Sequence, residues 1–141
     1  MKKKVSPVDL CKFLKIDNYL SNGNLGFFNF SDLIPFRVER LYYVNQLKKG
    51  DVRGNHAHLK LEQFIFLLNG AIKITIEDGL KSKDIYMEAD NVGLYLPPMI
   101  WRSIIAENDM TSFVVLASLE YSENDYVRNY EDFMQNYARS N

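Results

Sequence analysis

Gly50-Asp51-Val52-Arg53-Gly54-Asn55-His56-Ala57-His58-Leu59-Lys60-Leu61-Glu62-Gln63-Phe64-Ile65-Phe66-Leu67-Leu68-Asn69-Gly70 is the stretch around which the chain organises itself. It holds both histidines of the 141-residue sequence, two positions apart. In an extended strand residues i and i+2 project to the same side, so the two imidazoles are expected to converge on one small volume. Immediately beyond, residues 61–68, the Asn69-Gly70 pair and residues 71–77 read as a β-hairpin, because Asn-Gly favours the tight turn with positive φ. In the second arm Ile72, Ile74 and Ile76 alternate with Lys73, Thr75 and Glu77, which predicts one core face and one wet or paired face.

The same pattern extends over residues 36–117, where short runs of Val, Ile, Tyr and Phe are separated by turn residues at spacings of about ten. Asp78-Gly79 ends one strand, residues 83–88 form another, and Asp90-Asn91 turns into 92–96. Pro97-Pro98 interrupts the ladder, then 101–106 and the nearly continuous apolar run 112–119 complete some eight strands. The fold class is therefore all-β, a mostly antiparallel sandwich or barrel. Residues 18–30 suggest a hairpin or an extended arm. Tyr126, Tyr130, Phe133, Met134 and Tyr137 recur at helical spacing after Ser122 or Asn124 as N-cap, predicting a short closing helix over about 124–138. The expectation is one domain over 1–141, with an N-terminal arm to about 33 and a barrel over about 34–120.

Composition narrows the chemistry. Seventeen Lys and Arg against eighteen Asp and Glu leave a net charge of -1, so the broad basic surface of a nucleic-acid binder is not expected. The lone Cys11 excludes an internal disulfide, a Cys-based zinc site and a CxxC pair, and suits a reducing compartment. Met1-Lys2-Lys3-Lys4 could open a signal peptide, but Pro7, Asp9, Lys12 and Lys15 break the apolar stretch that would have to follow. Apolar runs such as 64–68 and 113–117 are far shorter than the ~20 residues a membrane helix needs. A cytoplasmic protein with no membrane partner is expected.

Counting ligands tests for a metal. Gly50, five residues, His56, His58 and the later Gly70 resemble the first motif of the cupins, double-stranded β-helix proteins of jelly-roll type: G-x5-H-x-H-x3,4-E-x6-G. Here Gln63 stands at the carboxylate position, and Glu62, one residue out of step, is expected on the other side of the sheet. The second motif, roughly G-x5-P-x-G-x2-H, survives loosely at 93–102, where Pro97-Pro98 keeps the corner and Arg102 replaces the last ligand. Two imidazoles and an amide make a poor set for zinc, iron or manganese, and a cation at Arg102 repels one. A cupin cavity without metal or other cofactor, fitted to an anionic ligand, is the expectation. Imidazole, with a pKa of about 6.5, suits acid/base work there.

Four elements carry a narrower resemblance: Ile34-Pro35-Phe36-Arg37-Val38-Glu39-Arg40-Leu41-Tyr42-Tyr43-Val44, then Arg53-Gly54-Asn55-His56-Ala57-His58, then Pro97-Pro98-Met99-Ile100-Trp101, and last the segment 121–133. Together they resemble the sugar nucleotide 3,4-ketoisomerases, small dimeric cupins that use no metal. The resemblance implies an isomerase of deoxyamino-sugar biosynthesis acting on dTDP-4-keto-6-deoxyglucose. A base takes the C3 proton, a 3,4-enediol forms, and reprotonation at C4 leaves the ketone at C3. It makes His58 the first candidate for carbon proton transfer, His56 the shuttle or polarising group, and Tyr43 the phenolic partner, with the two histidines interchangeable. Arg53, Arg102 and Arg40, with Lys60 as a further cation, would face the pyrophosphate. Trp101 and Tyr42 would offer the thymine an aromatic face, with packing as their competing role. Gln63 joins this substrate-binding set. Arg37 and Arg40 are three apart, so both face the cavity only if the strand bulges.

The family's N-terminal acidic-Arg-Gly element is missing, Ser21-Asn22-Gly23-Asn24-Leu25 standing in its place. Arg37, another cation or a partner subunit's residue would have to replace that arginine, or the nucleotide is held differently. Three rivals follow. A nucleotide-sugar 3,5-epimerase would carry a His with a separate Asp rather than His-Ala-His; a metal-dependent cupin is opposed by Gln63 and Arg102; a non-catalytic sugar-nucleotide-binding cupin gains little from two titrating rings. Open sheet edges and the family resemblance point to a homodimer, in one form with exchanged N-terminal strands.

Overall fold

The structure is a computed structural model that describes residues 5–140, so Met1 and the lysines at 2–4 lie outside the described residues. In chain order its elements are α1 (Pro7–Leu10), β1 (Lys12–Lys15), β2 (Asp17–Leu20), β3 (Asn24–Phe27), α2 (Phe30–Leu33), β4 (Arg40–Leu47), β5 (Val52–His58), β6 (Gln63–Asn69), β7 (Ala71–Glu77), β8 (Ser82–Glu88), β9 (Val92–Leu96), β10 (Trp101–Ala106), β11 (Thr111–Ala117), β12 (Tyr126–Val127) and α3 (Tyr130–Ser140). Strands β4 to β11 are the eight that turn residues and alternation demanded.

Two five-stranded antiparallel sheets form, in the orders β1-β9-β6-β11-β4 and β12-β5-β10-β7-β8, beside the small β2-β3 hairpin. Apolar residues of both sheets share one core: Ile65 and Leu67 from β6, Leu94 and Leu96 from β9, Phe113 and Val115 from β11 meet Ile72, Ile74 and Ile76 from β7 and Ile104 from β10. The three β7 isoleucines are completely buried, and each such side chain is worth about 1.5–3 kcal/mol relative to exposure. Lys73, Thr75 and Glu77 take the outer side, where Thr75 Oγ1 donates to Asp84 Oδ1 at 2.7 Å. This is the double-stranded β-helix that the motif spacing implied.

Two local expectations are corrected. Residues 61–77 do not form a hairpin, because β6 pairs with β9 and β11 while β7 pairs with β8 and β10. Gly70 has the positive φ a tight turn wants, +78°, but it carries the chain from one sheet to the other. A Cβ there would lie 2.2 Å from Thr111 Oγ1. Crossing over lets the apolar faces of β6 and β7 meet across the sandwich instead of lying side by side.

The closing helix begins at Tyr130, not near 124. Residues 123–125 form a single 3-10 turn, and Tyr126–Val127 is an extended strand that pairs with His58 and Ala57 of β5. Asn129 heads the helix, its side-chain oxygen accepting from the Asp132 amide at 3.1 Å. Phe133 on α3 is fully buried against Ala57 and Val127, with Trp101 packed alongside. At the other end, β1 extends the β9 edge, and Phe28 packs edge-on against Phe64 and Phe66 of β6. Of the two forms expected for residues 18–30, a hairpin or an extended arm, the β2-β3 pair is a hairpin, and short helical turns lie before and after it in the arm.

Candidate active site

A cavity of about 530 Å³ opens between the sheets, lined among others by Arg40, Tyr42, Arg53, His56, Gln63, Arg102, Tyr121, Tyr126 and Arg128. Its floor is built where β10 lies against β5 with Arg102 opposite His56, and the register slips between Arg102 and Ser103. Gly54 makes that close approach possible. Its φ is +90°, and a Cβ would stand 2.8 Å from the Arg102 carbonyl oxygen. Asn55 follows at φ 57°, a conformation asparagine tolerates better than most residues.

From that irregular stretch His56 and His58 emerge on one side, as i and i+2 should, with ring centroids 4.9 Å apart and planes nearly perpendicular. They are not equivalent. His56 is partly exposed and lines the cavity, whereas His58 is only 1% exposed and does not reach the cavity wall. Burial first, then the Arg102 guanidinium, pushes His56 down to about 4 and His58 down to about 2. Both rings are neutral at pH 7. His58 Nδ1 lies 3.2 Å from Asp125 Oδ2; a carboxylate can only accept, so Nδ1 carries the hydrogen and Nε2 is bare. The contact is a hydrogen bond to a neutral ring, since the depressed pKa leaves no imidazolium for an ion pair. Asp125 is fixed in turn by the backbone N–H groups of Lys60 at 2.8 Å and Leu61 at 3.3 Å. Tyr126 packs at a tilt against both rings, its centroid 5.0 Å from that of His56 and 4.4 Å from that of His58.

Opposite the histidines sits Arg102, 2% exposed. Burial lowers it to about 10, so it remains a cation at neutral pH. Its Nη1 donates to Gln63 Oε1 at 2.9 Å, and Gln63 Nε2 donates to Tyr42 Oη at 2.9 Å. Arg102 Nε and Nη2, Arg40 Nε and His58 Nε2 have no hydrogen-bond partner among the described residues. Unpaired buried donors such as the three arginine nitrogens cost roughly 1–3 kcal/mol each, more when charged; they suit a ligand's oxygen atoms, whereas the bare His58 Nε2 is an acceptor. Among the described residues no three His, Cys, Asp or Glu side chains cluster as metal ligands. Glu62 points elsewhere, accepting from Tyr95 Oη at 2.6 Å, as the one-residue offset required.

The cavity therefore collects His56, Arg40, Tyr42, Arg53, Gln63 and Arg102, with His58 directly behind. Three sequence-based assignments are corrected. Tyr43 is 70% exposed on the outer side of β4, because Arg40, Tyr42 and Val44 take the inward positions of that strand. Trp101 neighbours inward-facing Arg102 and must face the other way; it packs 5.3 Å from Tyr130 and 5.7 Å from Phe133. Lys60 is exposed in the bend after β5, and only its backbone contributes, by bonding Asp125. Arg37 also stays outside, paired with Glu39 at 2.8 Å.

Four residues of the 121–128 segment were not anticipated: Tyr121, Asp125, Tyr126 and Arg128. Arg128 lies over the Tyr126 ring at 4.1 Å, and its Nε and Nη2 donate to Glu123 at 2.5 and 3.0 Å. Glu123 also accepts from Tyr121 Oη at 2.6 Å. This rim adds Arg128 as a further cation at the cavity. The signal for it was the resemblance of residues 121–133, which the helical reading of the aromatics obscured.

Comparison with known proteins places these features in context. Residues 6–138 match the family model FdtA, described as WxcM-like, C-terminal. The chain is 36% identical over 121 residues, 86% of its length and 87% of the relative's, to the TDP-4-oxo-6-deoxy-alpha-D-glucose-3,4-oxoisomerase of Aneurinibacillus thermoaerophilus. Its fold superposes with a TM-score of 0.87 on QdtA, a sugar 3,4-ketoisomerase from Thermoanaerobacterium thermosaccharolyticum in complex with TDP, at 32% identity, covering 92% of this chain and 96% of that one. A 3,4-ketoisomerase from Helicobacter canadensis gives 0.86 at 33% identity, covering 92% and 98%.

Proposed function

The chain belongs to the FdtA family, and from that membership we propose that it is a TDP-sugar 3,4-ketoisomerase, an isomerase that carries the ketone of TDP-4-keto-6-deoxyglucose from C4 to C3. The 3,5-epimerase alternative is not favoured, since these relatives above 30% identity are 3,4-ketoisomerases. The observation that carries the reading is a neutral histidine on the cavity wall facing a buried arginine whose remaining N–H groups lack partners.

The chemistry follows from those groups. His56 takes the proton from C3, made acidic by the neighbouring C4 ketone. The electrons of that C–H bond form the C3=C4 double bond and displace the carbonyl π pair onto the C4 oxygen, which the Arg102 N–H groups and the Tyr42 hydroxyl are suited to hold. The proton taken from C3 is then delivered to C4 of the enediol, and the proton given up by O3 is matched by one gained at O4, leaving a ketone at C3 and a hydroxyl at C4 with no atom gained or lost. His58, locked by Asp125, supports the His56 ring from behind. This reverses the order of the two histidines expected from sequence. Arg40, Arg53 and Arg128 are the cations for the pyrophosphate, and exposed Tyr121 offers the base a face.

The reading is an acid/base mechanism in which no metal takes part, supported by Gln63 and Arg102 at the positions where cupin ligands would stand. Turnover of TDP-4-keto-6-deoxyglucose after EDTA treatment tests it. Full activity is expected, and loss of activity restored by a divalent cation would overturn it. A homodimer belongs to the same proposal. Open sheet edges and the exposed apolar residues Leu41 and Tyr43 on β4 and Leu25 and Phe27 on β3 call for a cover, and β1, paired here with β9 of its own chain, is the strand that two copies could exchange. Light scattering at micromolar concentration that gave the monomer mass would count against it. Among the described residues no helix is long and apolar enough to cross a membrane; the cytoplasmic location proposed with it rests on the lone unpaired cysteine, Cys11.

A further inference from the structure

The bridge between Arg102 and Tyr42 has a direction, and the direction is forced. Guanidinium has five N–H donors and no acceptor. The Gln63 atom that meets Arg102 Nη1 at 2.9 Å must therefore be the carbonyl oxygen, which turns the amide nitrogen toward Tyr42 Oη, also at 2.9 Å. Among the described residues that is the one hydrogen bond the hydroxyl makes, and there it accepts. Its own proton is left to point elsewhere, and Tyr42 lines the cavity.

We propose that Gln63 is a positioning residue for ketone migration: by transmitting the donor-only character of Arg102, it makes Tyr42 a hydrogen-bond donor toward the sugar oxygen that becomes negatively charged. The claim rests on the ketoisomerase reading above and deepens it. A carboxylate at this position would do the reverse. It would accept from Arg102 and from the Tyr42 hydroxyl at once, and draw the phenolic proton away from the cavity. The buried setting of Tyr42 keeps the phenol protonated, since desolvation raises its pKa against the opposing influence of Arg102. Gln63 itself is 4% exposed with both ends of its amide engaged, so it acts through its neighbours rather than on the substrate. That replaces the substrate-binding role expected from sequence.

The test is a double-mutant cycle with a substrate-free companion. Gln63→Glu is expected to lower kcat about 100-fold, the loss typical of one misdirected oxyanion donor, while KM and the affinity for TDP stay within about threefold. Tyr42→Phe should give a loss of similar size, and adding Gln63→Glu to it should change kcat by less than about threefold, because the amide then has no hydroxyl to direct. Losses that multiply in the double variant would overturn the proposal. Should the glutamate variant fail to fold, the side-chain amide resonance of Gln63 in the ¹H–¹⁵N spectrum of wild type and Tyr42→Phe carries the test alone: a clear shift supports the bridge, and an unmoved resonance overturns it. A wild-type protein that leaves the ketone at C4 would defeat the functional reading, whereas the amide resonance still reports on Gln63.

Discussion

His58 Nδ1 and Asp125 Oδ2, 67 residues apart in the chain, lie 3.2 Å from one another in the structure. Asp125 owes its position to the 3-10 turn before β12 and to the Lys60 and Leu61 amides, so the bend after β5 and the C-terminal segment are locked together at this carboxylate. Asp125→Asn offers an amide that can donate to Nδ1 and select the other tautomer. We expect kcat to fall at least about tenfold and TDP affinity to change less than about threefold. The ¹⁵N shifts of His58 should report the exchanged tautomer; an unaltered tautomer together with normal turnover would remove Asp125 from the account.

The two histidines should separate in kinetics. His56, on the cavity wall, is the group placed to touch substrate, so His56→Asn should cost about 10³-fold in kcat with TDP binding, measured by calorimetry, held within several-fold. His58→Asn should cost less, because the ring it supports remains. Normal turnover in His56→Asn would transfer the role to another group.

The depressed pKa of His56 has a sign that can be checked. A base must be neutral to act, so the acid limb of kcat/KM is expected near pH 4 rather than near the ordinary value of 6.5. Stability should move the same way. Above 6.5 neither the folded nor the unfolded ring is protonated and nothing is lost; as the pH falls from 6.5 toward 4 the unfolded chain binds protons that the folded one refuses, and stability declines. For His58 the decline continues to about 2. Thermal melts across this range should show that slope, and His56→Asn should flatten its upper part. A melting temperature independent of pH from 6.5 to 4 would contradict the buried, neutral pair.

Much of this was legible in the sequence because it depends on local alternation. The eight strands, the inward isoleucines of β7, the convergence of His56 and His58 and the outward turn of Glu62 all follow from a side-chain period of two. The same rule placed on adjacent residues would have chosen Tyr42 over Tyr43 and Arg102 over Trp101, since neighbours on a strand cannot both face one cavity. What local rules could not supply is partnership between distant segments. Asn69-Gly70 looks the same whether its flanking strands pair or part to opposite sheets. Tyr126 fitted a helical spacing, but it takes an extended conformation because β5 offers it an edge beside His58. Asp125 and Arg128 enter the site through that same pairing, which the residues around them do not encode. The Asp125–His58 contact also removes one sequence criterion, since a His with a separate Asp was expected to mark an epimerase and is present here beside the His-Ala-His run.

The central claim is that His56 moves a proton between C3 and C4 of a TDP-bound 4-ketohexose. Incubation with TDP-4-keto-6-deoxyglucose in deuterium oxide, followed by NMR of the sugar, tests it most directly. The account predicts a product with its ketone at C3, hydrogen or deuterium newly placed at C4, and the original proton still at C5. A sugar that keeps its C4 ketone while taking up deuterium at C5, or one returned unchanged, would contradict it.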